Sequence, residues 1–307
     1  MSKLITVFGA TGVQGGSVIR AILNDPALSK EFKIRGITRD TSKPAAKELE
    51  AQGVELVSAD MSSAEQAAPA VKGAHSVFLI TNFWESTSED VEVAQGKAVT
   101  DASKAAGVKH LIFSSLLNTT EISGGRLPNI THFVGKSRIE QYIRDSGVPA
   151  TFVLPGLYMS NMFTMINKGQ DGNYTLALPV DSENSQVPLF DAASDTDKGK
   201  FVKAAIEKYP SYVNQRIYAA TAYYTPTQMA FEFSEVIGKP TAAVKVPSEV
   251  FKSFLPAPIA QEMLENMLLL EDPGYYAKAD LAKSLSLVSE KPTTWKAFVE
   301  ENKEKWL

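Results

Sequence analysis

Cysteine is absent from the 307 residues of this chain, and histidine occurs only at His75, His110 and His132. These shortages exclude disulfide bracing, thiolate metal sites and cysteine catalysis, and leave too few imidazoles for a histidine-rich metal centre. Any redox chemistry must then belong to a bound cofactor. No run of eighteen apolar residues occurs, and the first residues lack the basic, apolar, small-residue order of a secretory leader. The expectation is no membrane association and a cytoplasmic protein, with the nucleus as the alternative. The net charge is −4 and no basic stripe interrupts it, which argues against direct binding of nucleic acid. Apolar residues, by contrast, make up 44% of the chain, enough for a large core.

The richest ten positions are Val7 to Gly16, VFGATGVQGG. They join a β-branched apolar run, Leu4 to Phe8, to a segment with apolar residues at Val13, Val18, Ile19, Ile22 and Leu23, spaced as in a helix. Strand, tight turn and helix follow in that order. Gly9, Gly12 and Gly15 stand three apart, GxxGxxG, and each removes a Cβ where the chain turns, meets a pyrophosphate or packs helix on sheet. The residues of the turn, Gly9, Ala10, Thr11, Gly12, Val13, Gln14 and Gly15, are therefore candidates to hold a dinucleotide at a helix N-terminus.

Alternation continues through about residue 155. Strands are expected at 32–38, 54–57, 76–81, 110–115 and 150–154, with helices at 42–52, 63–71, 88–106 and 131–146. Repeated βαβ units imply an α/β fold with a doubly wound parallel sheet of the Rossmann, NAD(P)-binding type, ligands gathering at the carboxyl ends of the strands. The division expected is a binding domain over 1–157 and a smaller α+β C-terminal lobe over 158–307, interleaved with the first. In that lobe, strands are expected at 187–191, 215–219 and 244–246. Helices are expected at 195–208, 227–237 and 259–270, where Met263, Met267 and Leu268 form a stripe that reads as core rather than docking groove. A terminal amphipathic helix, 293–306, would pack Trp295, Phe298 and Trp306 on the body.

The carboxyl ends collect polar residues. After the second strand the first charged side chain is Arg39, with Lys43 following, where NAD-specific folds place an acid on the ribose 2′-hydroxyl. A guanidinium clamps a 2′-phosphate, so NADP(H) is favoured, while the adjacent Asp40 keeps NAD(H) open. Asp60 and Met61 could bracket the adenine, although Asp60 equally suits the N-cap of the next turn. Thr81, Asn82 and Phe83, with Trp84 and Glu85, fall where a nicotinamide ribose would lie, and Tyr158 and Asn161 near the nicotinamide. On the 131–146 helix, short-chain dehydrogenases place a tyrosine four residues before a lysine. This chain keeps Lys136 and has His132 at the tyrosine position. Lys136 reads as a cofactor ligand and, with His132, as a catalytic candidate, and Ser114 or Ser115 could polarise a carbonyl.

Taken together, these segments resemble the NmrA-like family, atypical short-chain dehydrogenases, and within it the HSCARG-type NADPH redox-sensor branch. The resemblance is carried by Gly9 to Gly16, Thr38-Arg39 with Lys47-Glu48-Leu49, Thr81 to Ser86, Gly124 to Leu127, His132-Phe133 with Gly135-Lys136, and Tyr142 to Arg144 before Gly147-Val148-Pro149. It spans residues 3 to about 210 well and the remainder more loosely. It implies an NADP-binding regulator that lacks the usual tyrosine, responds to the NADPH/NADP⁺ ratio and associates with a protein partner; a homodimer also stays open. The alternatives are an NAD(P)H-dependent oxidoreductase for a small quinone, carbonyl or aromatic acceptor, and an inert scaffold. An open apolar pocket beside Lys136 and His132 would favour the oxidoreductase.

Overall fold

The computed structural model describes residues 2–192 and 197–307. Its strands in chain order are β1 (Lys3–Val7), β2 (Phe32–Thr38), β3 (Glu55–Ser58), β4 (Ser76–Leu79), β5 (His110–Ser114), β6 (Ala150–Pro155), β7 (Leu157–Tyr158), β8 (Ile166–Lys168), β9 (Tyr174–Leu178), β10 (Val187–Phe190), β11 (Arg216–Ala219), β12 (Ala222–Tyr224) and β13 (Thr241–Lys245). Seven of them form one sheet in the order β11-β6-β5-β4-β1-β2-β3, every pair parallel. β4 and β5 are buried along their whole length, which is why Ser76–Leu79 and His110–Ser114 carry near-continuous apolar runs. Helices Ala64–Val71, Glu89–Ala105 and Thr131–Ser146 cover one face; Val13–Leu23 and Asp197–Glu207 cover the other. This is the doubly wound Rossmann architecture expected from the alternation. Its strand order reverses between β1 and β4, which opens a crevice at the carboxyl edge.

The second half of the chain returns to the first. β11 extends the large sheet beside β6, and the Asp197–Glu207 helix packs on Val13–Leu23 so closely that a Cβ on Gly199 would stand 2.4 Å from both the Ser17 carbonyl oxygen and the Ala21 Cβ. The Gly199 N–H donates to Ser17 Oγ at 2.9 Å. Residues 195 and 196, expected to start this helix, lie outside the described residues. What remains of the C-terminal half builds two three-stranded sheets, β12-β10-β7 and β13-β9-β8. Trp295, stacked on Phe298 and edge-on to Trp306, closes the core there. The 263–268 stripe divides: Met267 is buried, while Met263 borders the crevice described below.

Several boundaries moved for local reasons. The helix expected from Ser42 begins at Pro44, because proline at the first helical position forces Lys43 into extended backbone. The terminal helix is shorter, Trp295–Asn302, started by the Thr294 hydroxyl accepting from the Ala297 N–H. β7, β8, β9 and β12 were not anticipated. β9 alternates buried and half-buried positions as a sheet with one covered face should, but five residues give a weak periodic signal.

His110 stands in this core, bonded to Thr151 Oγ1 at 2.9 Å and stacked on Tyr209. Burial, with a smaller contribution from neighbouring His75, pushes it down to about 4. The fold thus prefers the neutral ring, so the unfolded chain binds the extra proton between about pH 6.5 and 4. Stability should be fully present above pH 6.5 and fall by roughly 3 kcal/mol on descending to pH 4. Urea unfolding of His110→Gln should lose most of that slope. An unchanged slope would show that other groups set it.

Candidate functional site

The crevice at the carboxyl edge is a cleft of about 790 Å³. At its floor the glycine turn is held by contacts that side chains would block. Gly9 has φ +65°, and a Cβ on Gly15 would lie 2.2 Å from the Gly9 carbonyl oxygen. The helix behind it starts at Gly12 with no side-chain cap and no acid in its first turn, so its leading N–H groups face the cleft unanswered by side chains. This cradle fits a pyrophosphate. Gly9, Thr11, Gly12, Val13, Gln14 and Gly15 line it. Ala10 does not. It is fully buried against β2, donates its N–H to Ile37 O at 3.1 Å, and requires glycine at Gly36, whose Cβ would otherwise meet it at 3.0 Å.

Beyond β2, Arg39 and Lys43 line the same cleft. Arg39 is 74% exposed and pairs with Glu85 on the Phe83–Ser86 turn. Asp40 is answered locally: Ser42 donates to Oδ1 through its N–H at 2.9 Å and its hydroxyl at 2.6 Å, which holds the carboxyl below its ordinary value. The acid that kept NAD open is therefore occupied by its own turn. Asp60 and Met61 reach the cleft too, with Asp60 Oδ1 accepting from the Ser62 N–H at 2.8 Å. The N-cap of the following helix is Ser63, not Asp60.

Thr81, Asn82, Phe83, His132, Lys136, Tyr158 and Asn161 also line the cleft. Lys136 is not turned outward. Its Nζ donates to Thr81 O at 3.0 Å, Thr81 Oγ1 at 2.9 Å and Glu92 Oε1 at 2.6 Å, and Thr81 Oγ1 donates in turn to Glu92 at 2.7 Å. Glu92 is 1% exposed and was missed in the sequence, where it reads as one of three acids in the first turn of a surface helix. Gly135 leaves room for it, since a Cβ there would stand 2.8 Å from Glu92 Oε2.

The two serines divide. Ser115 Oγ donates to buried Glu140 at 2.6 Å and does not line the cleft, whereas Ser114 lines it but gives its hydroxyl proton to Gln14 Oε1 at 2.8 Å. Gln14, read as a pyrophosphate residue, sends its side chain back to Ser114 and to the Tyr158 hydroxyl.

The C-terminal half supplies the far wall through Met263, Asn266 and Tyr275. From the same Ala257–Leu268 helix, Glu262 accepts from Thr131 Oγ1 at 3.1 Å, the His132 N–H at 2.9 Å and His132 Nδ1 at 2.5 Å. It thereby caps, from another part of the chain, a helix that begins at Ile130 without a cap of its own. Burial alone would raise the Glu262 carboxyl, but the bonds from His132 and Thr131 outweigh it and hold it below its ordinary value. His132 lies between Trp84 and Phe133, with ring centroids at 5.1 and 4.9 Å. Asn266 is 5% exposed and its Nδ2 has no acceptor among the described residues.

Comparison with known proteins settles the lineage of this arrangement. The NmrA-like family model matches residues 1–299. The chain belongs to the NmrA-like family. It is 32% identical over 256 residues to the NmrA-like family domain-containing oxidoreductase ptmS of Penicillium ochrochloron, covering 78% of this chain and 74% of that one. The counterpart malD of Malbranchea aurantiaca is 32% identical over 266 residues, 81% and 77% of the two chains. Among solved structures, NmrA, a negative transcriptional regulator, in complex with NADP superposes with TM-score 0.82 at 23% identity over 98% of this chain and 95% of that one. The NADPH-dependent quinone oxidoreductase QOR2 of Escherichia coli gives 0.78 at 22%, covering 97% and 99%. Among the described residues no helix is long and apolar enough to cross a membrane, and no cluster of His, Asp and Glu could hold a metal ion.

The buried Lys136–Glu92 pair has a thermodynamic consequence. Lys136→Met should destabilise the fold by about 3–5 kcal/mol, because it strands a desolvated carboxylate. Adding Glu92→Gln should restore most of the loss. A urea double-mutant cycle measures the coupling, and strictly additive effects would show that the pair is not coupled.

Proposed function

We propose that this chain binds NADP(H) and acts as an oxidoreductase on a small quinone, carbonyl or other aromatic acceptor. The observation that carries this is the continuity of the cleft, which runs from the glycine cradle past Arg39 and Thr81 to a wall built by the second lobe. That wall is aromatic at Tyr275, faces Trp84 of the first domain across the cleft, is flexible at Met263, and offers Asn266 Nδ2, a donor unanswered among the described residues. A pocket with apolar walls and one fixed donor suits a flat carbonyl compound. When bound, the reduced nucleotide would supply hydride. The chain supplies the rest: the cradle for pyrophosphate, Arg39 with Lys43 for a 2′-phosphate, and an acceptor site walled by Tyr275, Met263 and Asn266. A phosphate at Arg39 takes the place of Glu85, a favourable exchange because an exposed ion pair contributes little and a bidentate guanidinium–phosphate contact contributes more. The names of ptmS and malD support the same reading.

A second reading, a sensor of the NADPH/NADP⁺ ratio with a protein partner, is favoured by Lys136, whose hydrogen bonds all go to Thr81 and Glu92 rather than outward. Oxidation of NADPH measured over a panel of quinones and carbonyls separates the two. Turnover with at least one acceptor is expected. Tight NADPH binding without oxidation of any acceptor would overturn the oxidoreductase in favour of the sensor. In the same assay Arg39→Ala should weaken NADPH binding at least tenfold, the effect of about 1.4 kcal/mol, and leave NADH binding unchanged. Equal loss for both nucleotides would remove Arg39 from the 2′-phosphate site.

A further inference from the structure

Behind the cleft lies a group for which the site as described has no use. Lys198 is 0% exposed at the start of the Asp197–Glu207 helix, and no carboxylate pairs with it among the described residues. Its Nζ donates to Ser114 Oγ and to Val153 O, both at 3.3 Å. Ser114 passes its single proton to Gln14 Oε1 at 2.8 Å, and Gln14 Nε2 donates to the Tyr158 hydroxyl oxygen. With the Gln14 amide so oriented, every bond in the row points one way, from lysine to phenol. The Tyr158 proton is the one left over, having no acceptor among the described residues. Tyr158 lines the cleft.

The placement of Tyr158 is built in. Gly156 lets β10 close on the strand that carries it, since a Cβ there would stand 2.3 Å from Pro188 O. Phe190, its partner in that pairing, tilts against the ring at 5.9 Å. Hydrogen bonds in a row polarise one another, and a phenol whose oxygen already accepts is a better donor. Burial also raises the Tyr158 phenol despite the Gln14 bond, so it stays protonated at neutral pH.

We propose that Tyr158 is the proton donor of this site, taking the work of the tyrosine that His132 replaces, and that Lys198, Ser114 and Gln14 are positioning residues that aim its O–H into the cleft. The assignment rests on the oxidoreductase reading for its chemistry. When hydride from the reduced nucleotide reaches a carbonyl carbon, the C=O π pair becomes an alkoxide. The Tyr158 O–H bond breaks, its proton goes to that oxygen, and the phenolate left behind recovers a proton from water as product leaves. General acids of this kind contribute about 10²–10⁴ in rate.

Two measurements on the full-length protein test the proposal. The first titrates the NADP⁺ complex with substituted phenolates, which mimic the alkoxide and need no turnover. Tyr158→Phe should weaken phenolate binding at least tenfold while NADP⁺ affinity stays within threefold. Lys198→Met, close in shape to lysine, should weaken phenolates about threefold in the wild type and not at all in the Tyr158→Phe background, a dependence that a general structural role would not produce. The second follows single-turnover NADPH oxidation, where Tyr158→Phe should slow the reaction about 100-fold or more and abolish the solvent deuterium isotope effect. Turnover unaffected by Tyr158→Phe would overturn the donor and leave the oxidoreductase standing. Phenolate binding that depends on Tyr158 in a protein that oxidises no NADPH would overturn the oxidoreductase and with it the proton transfer, leaving Tyr158 only a hydrogen-bond donor to the cleft. Phenolate binding indifferent to both substitutions would overturn the row itself.

Discussion

The carboxyl edge depends on one backbone contact that only glycine permits, the approach of Gly15 to the Gly9 carbonyl oxygen, which a Cβ would reach at 2.2 Å. Because the helix can sit that close to the turn, its uncapped N-terminus faces the crevice where the sheet reverses its order. The same closeness decides where Gln14 goes. From the first turn of that helix its side chain reaches back to Ser114 at the end of β5 and to Tyr158 beyond β6, so one glycine-dependent packing sets both the phosphate cradle and the far end of the cleft.

A second constraint is the way the C-terminal half holds the first. Glu262 and Glu265, one turn apart on the Ala257–Leu268 helix, grip the corner at 129–132, Glu265 accepting from the Asn129 N–H at 2.7 Å and Glu262 from Thr131 and His132. Tyr276 donates to Leu154 O at 2.8 Å at the carboxyl end of β6. These bonds join the far wall of the cleft to the start of the Thr131–Ser146 helix and to the sheet. They also explain the histidine at the tyrosine position, since its ring and its N–H both answer a carboxylate that caps the helix. Anchoring of that kind accounts for the residue without assigning it a proton transfer.

The sheet was legible because burial on both faces writes itself into sequence as apolar runs, and the helices between because their apolar residues recur at helical spacing. The glycine turn was legible for the same kind of reason: the absence of side chains is visible in a sequence. The partners of Lys136, Asp40 and His132 were not. Glu92 lies 44 residues from Lys136 and Glu262 lies 130 from His132. No local pattern distinguishes such an acid from its solvated neighbours, because only the packing of helix on helix decides which carboxylate is buried. Asp40 marks the opposite limit: its partner, Ser42, is two residues away, and a short turn bond of this kind leaves no periodic signal.

Lys198 shows how far that limit extends. In the sequence it stands between acids and glycine in a charged stretch, where a solvated surface lysine is the ordinary reading. The fold buries it because Gly199 beside it removes the Cβ that would hold the two helices apart, and so draws the start of the Asp197–Glu207 helix under the sheet edge. A lysine desolvated in this way costs stability unless its N–H groups are answered. Two of them are answered, by Ser114 and Val153, the first of which passes the polarity onward through Gln14 to the cleft. The cost of burying the amine and the orientation of the Tyr158 hydroxyl are therefore two ends of one row of hydrogen bonds. A methionine at 198 would relieve the first and release the second.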